Sequence, residues 1–129
     1  MTSENFNKSL KEAAIDFLQL AASGKVREAY EKYVAPNFKH HNPYFKGDRE
    51  SLMLAMEEAS VNTPNKEFTC VGALQDGDLV AVHSRVVQES QPAPISVVHI
   101  FRFEGNLVAE LWDNIMPQPK EMVNENGLF

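Results

Sequence analysis

The chain has 129 residues, 43% of them apolar, which suffices for one domain with a buried core and argues against a disordered chain. Its formal net charge of −6 disfavours the phosphate backbones of nucleic acids and the anionic surface of a membrane as partners. The single cysteine, Cys70, excludes an intrachain disulfide and a four-thiolate metal site.

The apolar stretches of the chain indicate its cellular location. Residues 1–8 lack the basic segment followed by an apolar segment that is typical of a signal peptide. Charged or amide side chains interrupt the longest apolar stretches, so none is expected to cross a bilayer. We therefore expect a single cytoplasmic domain over residues 1–129, without an internal repeat or an interdomain linker.

Apolar residues recur at steps of three and four near the start of the chain, which predicts an amphipathic first helix. Thr2 or Ser3 can cap its start, and Gly24 stands where a left-handed residue commonly ends a helix. The residues of the apolar stripe are Phe6, Leu10, Ala13, Phe17 and Ala21.

Two more helices are predicted in the first half of the chain. The same periodicity starts again at Val26, and the helix is expected to stop at Pro36 because the ring cannot continue it. A third helix starts at about Asp48, a favourable N-cap residue, and ends at the Asn62-Thr63-Pro64 break.

The second half predicts four strands joined by short links. The Asp76-Gly77 pair is a strong signal for a two-residue hairpin, residues 91–94 form the next link, and Gly105-Asn106 forms the last. Helices followed by an antiparallel meander make an α+β domain, with the helices covering one sheet face. The predicted strands are Lys66–Leu74, Leu79–Ser90, Ile95–Glu104 and Leu107–Ile115.

His99 is predicted to point toward the helices. Side chains alternate between the two faces of a strand, and the residues that share a face with His99 are all apolar: Ile95, Val97, Phe101 and Phe103. A buried histidine is often only a hydrogen-bonded core residue, and this interpretation stays open for His99 taken alone.

The links also predict the register of the sheet. The Asp-Gly turn would pair Ala73 with Val80 and Val71 with Val82. A symmetric four-residue link would pair Val86 with His99. In that register His83 lies on the other face, with Cys70 and Arg102.

The last hairpin allows two registers, which the sequence leaves open. A two-residue turn at Gly105-Asn106 directs Glu110 and Trp112 inward. A three-residue loop that includes Glu104 directs Leu111 and Asp113 inward instead, because a slip of one residue exchanges the two faces.

Residues 39–48, between the second and third helices, are rich in groups that exchange protons near neutral pH. His40, His41, Asn42 and Tyr44 stand here around Pro43. The segment could instead simply close one end of the core. A metal set of His41, His99 and Asp113 is a further alternative, which ranks below acid/base chemistry because nothing fixes ligand spacing.

Several blocks of the chain resemble the SnoaL-like family of the NTF2-like superfamily, within it a bacterial subfamily of predicted aldol-condensation enzymes or ester cyclases. The likeness covers nearly the whole chain. The blocks are His40-His41-Asn42-Pro43-Tyr44-Phe45, residues 76–84, residues 97–105, Glu110-Leu111-Trp112-Asp113 and residues 124–129.

This resemblance implies a cone of three N-terminal helices packed on a curved antiparallel sheet that encloses a pocket, often paired as a dimer. The polyketide cyclases of the family close a ring by intramolecular aldol condensation without metal or organic cofactor. By resemblance His41 and Asp113 match pocket residues, with Asp113 as general base. Those cyclases tend to have an acid at the position of His99 and a histidine at that of Leu111.

The sequence thus predicts a cofactor-independent acid/base enzyme that acts on a small, mostly apolar carbonyl molecule by aldol closure, isomerisation or dehydration. A non-catalytic small-molecule binder of the same fold is the main alternative, and a dimeric interaction module with a vestigial pocket is a third. The predicted catalytic residues are Asp113, His99 and His41, and the predicted ligand-binding residues are His40, Asn42, Tyr44, Phe101, Trp112 and Tyr30.

Two predictions concern surfaces of the domain. We expect a homodimer through the outer sheet face, where Phe68, Cys70, Val98 and Ile100 would otherwise be exposed. We also expect residues 124–129 to pack on the body or on the partner subunit, because Leu128 and Phe129 supply an apolar anchor.

Overall fold

The computed structural model describes residues 8–129. No helix within that range is both long and apolar enough to span a membrane. The expected caps Thr2 and Ser3, and Phe6 of the apolar stripe, lie outside the described residues. The elements in chain order are α1 (Leu10–Ala22), α2 (Val26–Tyr33), β1 (Val34–His40), α3 (Arg49–Asn62), β2 (Glu67–Asp76), β3 (Leu79–Gln88), β4 (Gln91–Glu104) and β5 (Leu107–Pro117).

Local signals explain where the helices begin and end. Ser9 forms a capping box with Glu12 at the start of α1, and Gly24 takes a φ of +88° just beyond its end. The Asp48 carboxylate accepts a hydrogen bond from the Ser51 backbone N–H at 3.0 Å, which caps α3. The predictions for Gly24 and Asp48 are therefore confirmed.

Over residues 8–129 the sheet has five strands in the order β1-β5-β4-β3-β2, with β1 parallel to β5 and the other pairs antiparallel. The α+β class with three helices on one sheet is confirmed, whereas the prediction of four strands is wrong. The helix α2 ends at Tyr33, and Pro36 stands inside the edge strand β1, where a missing N–H is tolerated.

The core lies between the helices and the sheet face that we call the inner face, which carries Val82 and Phe101. The Phe17 ring of α1 meets the Phe101 ring edge-on at a centroid distance of 6.0 Å. Tyr30 of α2 lies 5.6 Å from Phe17 and is fully buried. The helices therefore cover the central part of the inner face.

The pairing of β2 with β3 differs from the prediction. The turn residues are Gly77 and Asp78, so Ala73 pairs with Val82 rather than with Val80. A bulge at Val71 exposes 48% of that residue and reverses the alternation before it. Phe68 and Cys70, which were predicted to lie on the outer face, consequently pack against the core.

The link between β3 and β4 is also shorter than predicted. The turn consists of residues 89–90, and β4 begins at Gln91. His99 therefore pairs with Val82 instead of Val86. The difference is an even number of residues, so His99 stays on the inner face and His83 on the outer face.

The last hairpin combines features of both predicted registers. Its turn is the two-residue one at Gly105-Asn106, because Glu104 pairs with Leu107. A bulge at Ala109 then adds one residue to β5, so that His99 pairs with Asp113. The carboxylate side chain of Asp113 is thus placed on the inner face by a two-residue turn and a bulge, and not by the three-residue loop that was predicted to be required for this placement.

The C-terminal residues pack on the outer face. Gly127 has a φ of +78°, and Phe129 stacks on His83 at a centroid distance of 5.6 Å. The guanidinium of Arg85 lies 6.0 Å from the centroid of the same ring. The chain end therefore docks on its own domain, as expected.

Candidate functional site

The site is organised around His99 and Asp113, which are direct cross-strand partners on the inner face. Cβ atoms of such partners lie roughly 4.5–5.5 Å apart, so the two side chains are direct neighbours on this face. Phe101 and Leu111, the next pair on this face, are buried. The imidazole and the carboxylate therefore stand at the border of an apolar core.

The imidazole of His99 is neutral at neutral pH. Burial lowers its pKa to about 4, and the nearby charge of Asp113 offsets this effect only in part. The Nδ1 atom is buried and has no hydrogen-bond partner among residues 8–129. An imidazole with a free ring nitrogen can still hydrogen-bond a ligand.

Asn42 orients the Asp113 carboxylate from the segment that follows β1. Its side-chain amide donates to both carboxylate oxygens, at 3.0 and 3.3 Å. The amide oxygen accepts a hydrogen bond from the Tyr44 backbone N–H at 3.0 Å. The amide is thereby fixed at both ends, and the carboxylate keeps a defined orientation.

His40 approaches the same region from β1, where it aligns with Leu111. Its Nδ1 accepts a hydrogen bond from the Asn42 backbone N–H at 3.1 Å. Burial lowers the pKa of His40, with the charge of Asp113 acting in the opposite direction. The Nε2 atom is buried and has no partner in the described part of the chain.

His41 lies on the opposite face, away from His99 and Asp113. Its Nε2 hydrogen-bonds the Glu110 carboxylate at 2.6 Å, and its ring stacks on Trp112 at 5.0 Å. Side chains alternate along β1 and β5, so Trp112 also faces outward. The prediction that His41 and Trp112 line the cavity is wrong, and the alternative metal set is not assembled.

Three other predicted ligand-binding residues do not line the site either. Tyr44 is 87% exposed. Tyr30 and Phe101 are fully buried in the core, where the Tyr30 hydroxyl hydrogen-bonds the sulfur of Met56 at 3.2 Å. The rings of Tyr30 and Phe101 therefore belong to the core and do not contact solvent.

A small apolar pocket of about 170 Å³ opens between the sheet and the C-terminal halves of α1 and α3. His99 lines it from β4, whereas Asp113 does not line it, so the prediction that the two share one cavity does not hold for this pocket. The other lining residues are Leu18, Ala21, Ala22, Met56, Ala59, Ser60, Lys66, Phe68 and Val86. The pocket thus offers an apolar volume next to an imidazole.

Sequence reasoning missed Lys66 and Phe68 as pocket residues. The bulge in β2 turns Phe68 inward, and Gly72, which directly follows the bulged residue Val71, is the signal in the sequence that could have indicated it. Burial lowers the pKa of Lys66. For Lys66, the only signal in the sequence was its position at the start of a predicted strand, directly after a proline-containing turn.

The family profile described as "SnoaL-like domain" matches residues 14–111 of the chain. No curated protein matches it. Among solved structures, wild-type IdmH of Streptomyces antibioticus, described as a candidate polyketide cyclase, is 16% identical. Its TM-score is 0.72, over 84% of this chain and 92% of IdmH.

Two other solved structures show the same fold. TsrD of Streptomyces laurentii is 19% identical, with a TM-score of 0.64 over 80% of this chain and 87% of TsrD. An uncharacterised cystatin-fold protein of Novosphingobium aromaticivorans is 20% identical, with a TM-score of 0.70 over 84% of this chain and 99% of that one. At such identities these likenesses concern the fold alone.

Proposed function

The chain belongs to the SnoaL-like domain family, and within it we propose a cofactor-independent acid/base enzyme that acts on small, mostly apolar carbonyl molecules. The observation that carries this proposal is the pairing of His99 with Asp113 on the inner face, with Asn42 holding the carboxylate. The description of IdmH as a candidate polyketide cyclase supports aldol closure as the reaction.

In the proposed mechanism the Asp113 carboxylate removes a proton from the carbon next to the substrate carbonyl. The negative charge that develops on the carbonyl oxygen accepts a hydrogen bond from the neutral imidazole of His99. The carbanion carbon then attacks a second carbonyl of the same molecule, and the new alkoxide takes the proton back. Isomerisation and dehydration share the first step.

A second function, binding without turnover, is favoured by the pocket itself. Its volume is small and its lining is mostly apolar, and an imidazole whose pKa is about 4 is a weak base. In this case Asp113 and Asn42 would only orient a ligand.

Proton exchange separates the two functions. The protein is incubated in D₂O with small ketones such as acetophenone and cyclohexanone, and deuterium incorporation next to the carbonyl is followed by NMR. Catalysed incorporation above a protein-free control supports the enzyme. Ligand-induced shifts of protein signals without any incorporation support the binder.

We also propose that the chain forms a homodimer through the outer sheet face. Val98 and Ala81 line an apolar groove on this face together with Leu74, which is 77% exposed. Phe68 and Cys70 no longer contribute, since they pack against the core. A cytoplasmic location stays a prediction.

A further inference from the structure

Lys66 lines the same pocket as His99 and has no acidic partner in the described part of the chain. No carboxylate within residues 8–129 forms a hydrogen bond or an ion pair with its ammonium, and none of the pocket-lining residues is acidic. Taking a charged amine partly out of water costs free energy unless an opposite charge compensates. The burial that lowers the pKa of Lys66 is an expression of that cost.

The turn between α3 and β2 fixes the position of Lys66. Asn65 takes a left-handed φ of +63°, which asparagine tolerates better than most residues. Its side-chain amide donates to the Glu89 carboxylate at 3.0 Å, so that this acid already has a partner. The fixed turn brings Lys66 beside Ala22 and Ser60, the helix residues that line the pocket with it.

Lys66 stands where the apolar pocket meets a more polar cleft. The two cavities share Ala22, Ser60 and Lys66, and the second is otherwise lined by residues at the ends of α1 and α3, including Ser23 and Thr63. A ligand in the apolar pocket can therefore extend a charged end toward this boundary while its apolar body stays buried.

We propose that Lys66 binds the carboxylate of a small apolar keto acid, whose apolar body fills the pocket and whose carbonyl reaches His99. The carbonyl part rests on the function proposed above, whereas the carboxylate part rests on Lys66 and the pocket alone. A cavity of roughly 150 Å³ holds a benzene ring, which sets the scale for a pocket of about 170 Å³. The net charge of −6 opposes anions in general, so a preference for a carboxylate must come from a local cation.

The test compares two unreactive probes of similar shape, phenylacetate and phenylacetamide, titrated into the full chain by calorimetry. We expect phenylacetate to bind about tenfold more tightly, as a charge-assisted hydrogen bond allows. Lys66→Met should abolish this preference while the affinity for phenylacetamide stays, which shows an intact pocket. Lys66→Arg should retain it in part, and the matched control Lys11→Met, at an exposed position of α1, should retain it fully.

Equal affinities of the two probes for the unmodified chain would overturn the proposal. A preference that persists in Lys66→Met would overturn it as well, because the anion would then bind elsewhere. The binding of either probe can be measured whether or not the chain is catalytically active. The two proposals can therefore fail separately. If the unmodified chain catalyses no proton exchange but prefers phenylacetate, and Lys66→Met loses this preference, the enzymatic function is refuted and the carboxylate site is supported.

Discussion

The neutral state of His99 links the site to the stability of the domain. The pKa of this imidazole is about 4 in the folded chain, against an ordinary value of 6.5. Below pH 6.5 the unfolded chain therefore takes up a proton that the folded chain refuses until about pH 4. The free energy of unfolding consequently falls as the pH decreases through this window, and it is unaffected by His99 above it.

We predict that the unmodified chain loses roughly 2 kcal/mol more stability than His99→Gln between pH 7 and pH 4.5, since glutamine does not titrate. Urea unfolding at both pH values measures this difference. All other titratable groups are the same in both proteins, so their contributions cancel in the comparison. Equal losses in the two proteins would show that His99 can take up a proton in the folded state.

At the scale of the elements, the helices could be predicted from the sequence because their signals are local. Gly24 and Asp48 act at the helix ends where the sequence places them. The strand β1 could not be predicted, since a proline such as Pro36 argues against a strand and the parallel pairing of β1 with β5 is a tertiary contact. The prediction for His41 failed for this reason, because the alternation along β1 decides which histidine faces inward.

The faces of β2 and β5 depend on single extra residues. The bulge at Ala109 directs Asp113 inward, and the bulge at Val71 directs Phe68 inward. An alternating pattern of apolar residues shows the two faces of a strand but not the point at which a bulge exchanges them. The inward placement of His99 could therefore be predicted, whereas the sequence left open whether Asp113 or Glu110 faces inward, and the bulge at Ala109 decides this.

The cap of α3 gives a prediction at this scale. Asp48→Ala removes the acceptor for the Ser51 N–H, so we expect the free energy of unfolding to fall by about 1 kcal/mol. Chemical denaturation measures the change. Asp48→Ser keeps a capping oxygen and should recover most of the stability; if both variants are equally destabilised, the cap is not the cause.

The docking of the C-terminal residues on the outer face gives a second prediction at the scale of the elements. Removing residues 124–129 deletes the Phe129 ring from its stack on His83, so we expect a lower melting temperature. The melting temperature is measured at fixed protein concentration, with Val123→Ala as a control at a residue that is already 98% exposed. An unchanged value for the truncated chain would argue for a free tail.

At the scale of the whole molecule, the outer face decides the oligomeric state. We predict a mass of twice 14.5 kDa at micromolar concentration by light scattering. Ile100→Glu should give a monomer because it places an unpaired charge in the buried interface. The control Val61→Glu alters an exposed apolar residue of α3 and should leave the dimer intact, while a monomeric unmodified chain would refute the dimer.

The most direct test of the proposed enzyme is the exchange rate of Asp113→Asn. This variant keeps the shape of the side chain and loses the base, so we predict at least about 100-fold slower deuterium incorporation into a ketone that the unmodified chain exchanges. The control Asp76→Asn, an exposed acid in the β2–β3 hairpin, should exchange at the unmodified rate. If Asp113→Asn exchanges as fast as that control, Asp113 is not the base and the proposed mechanism is wrong.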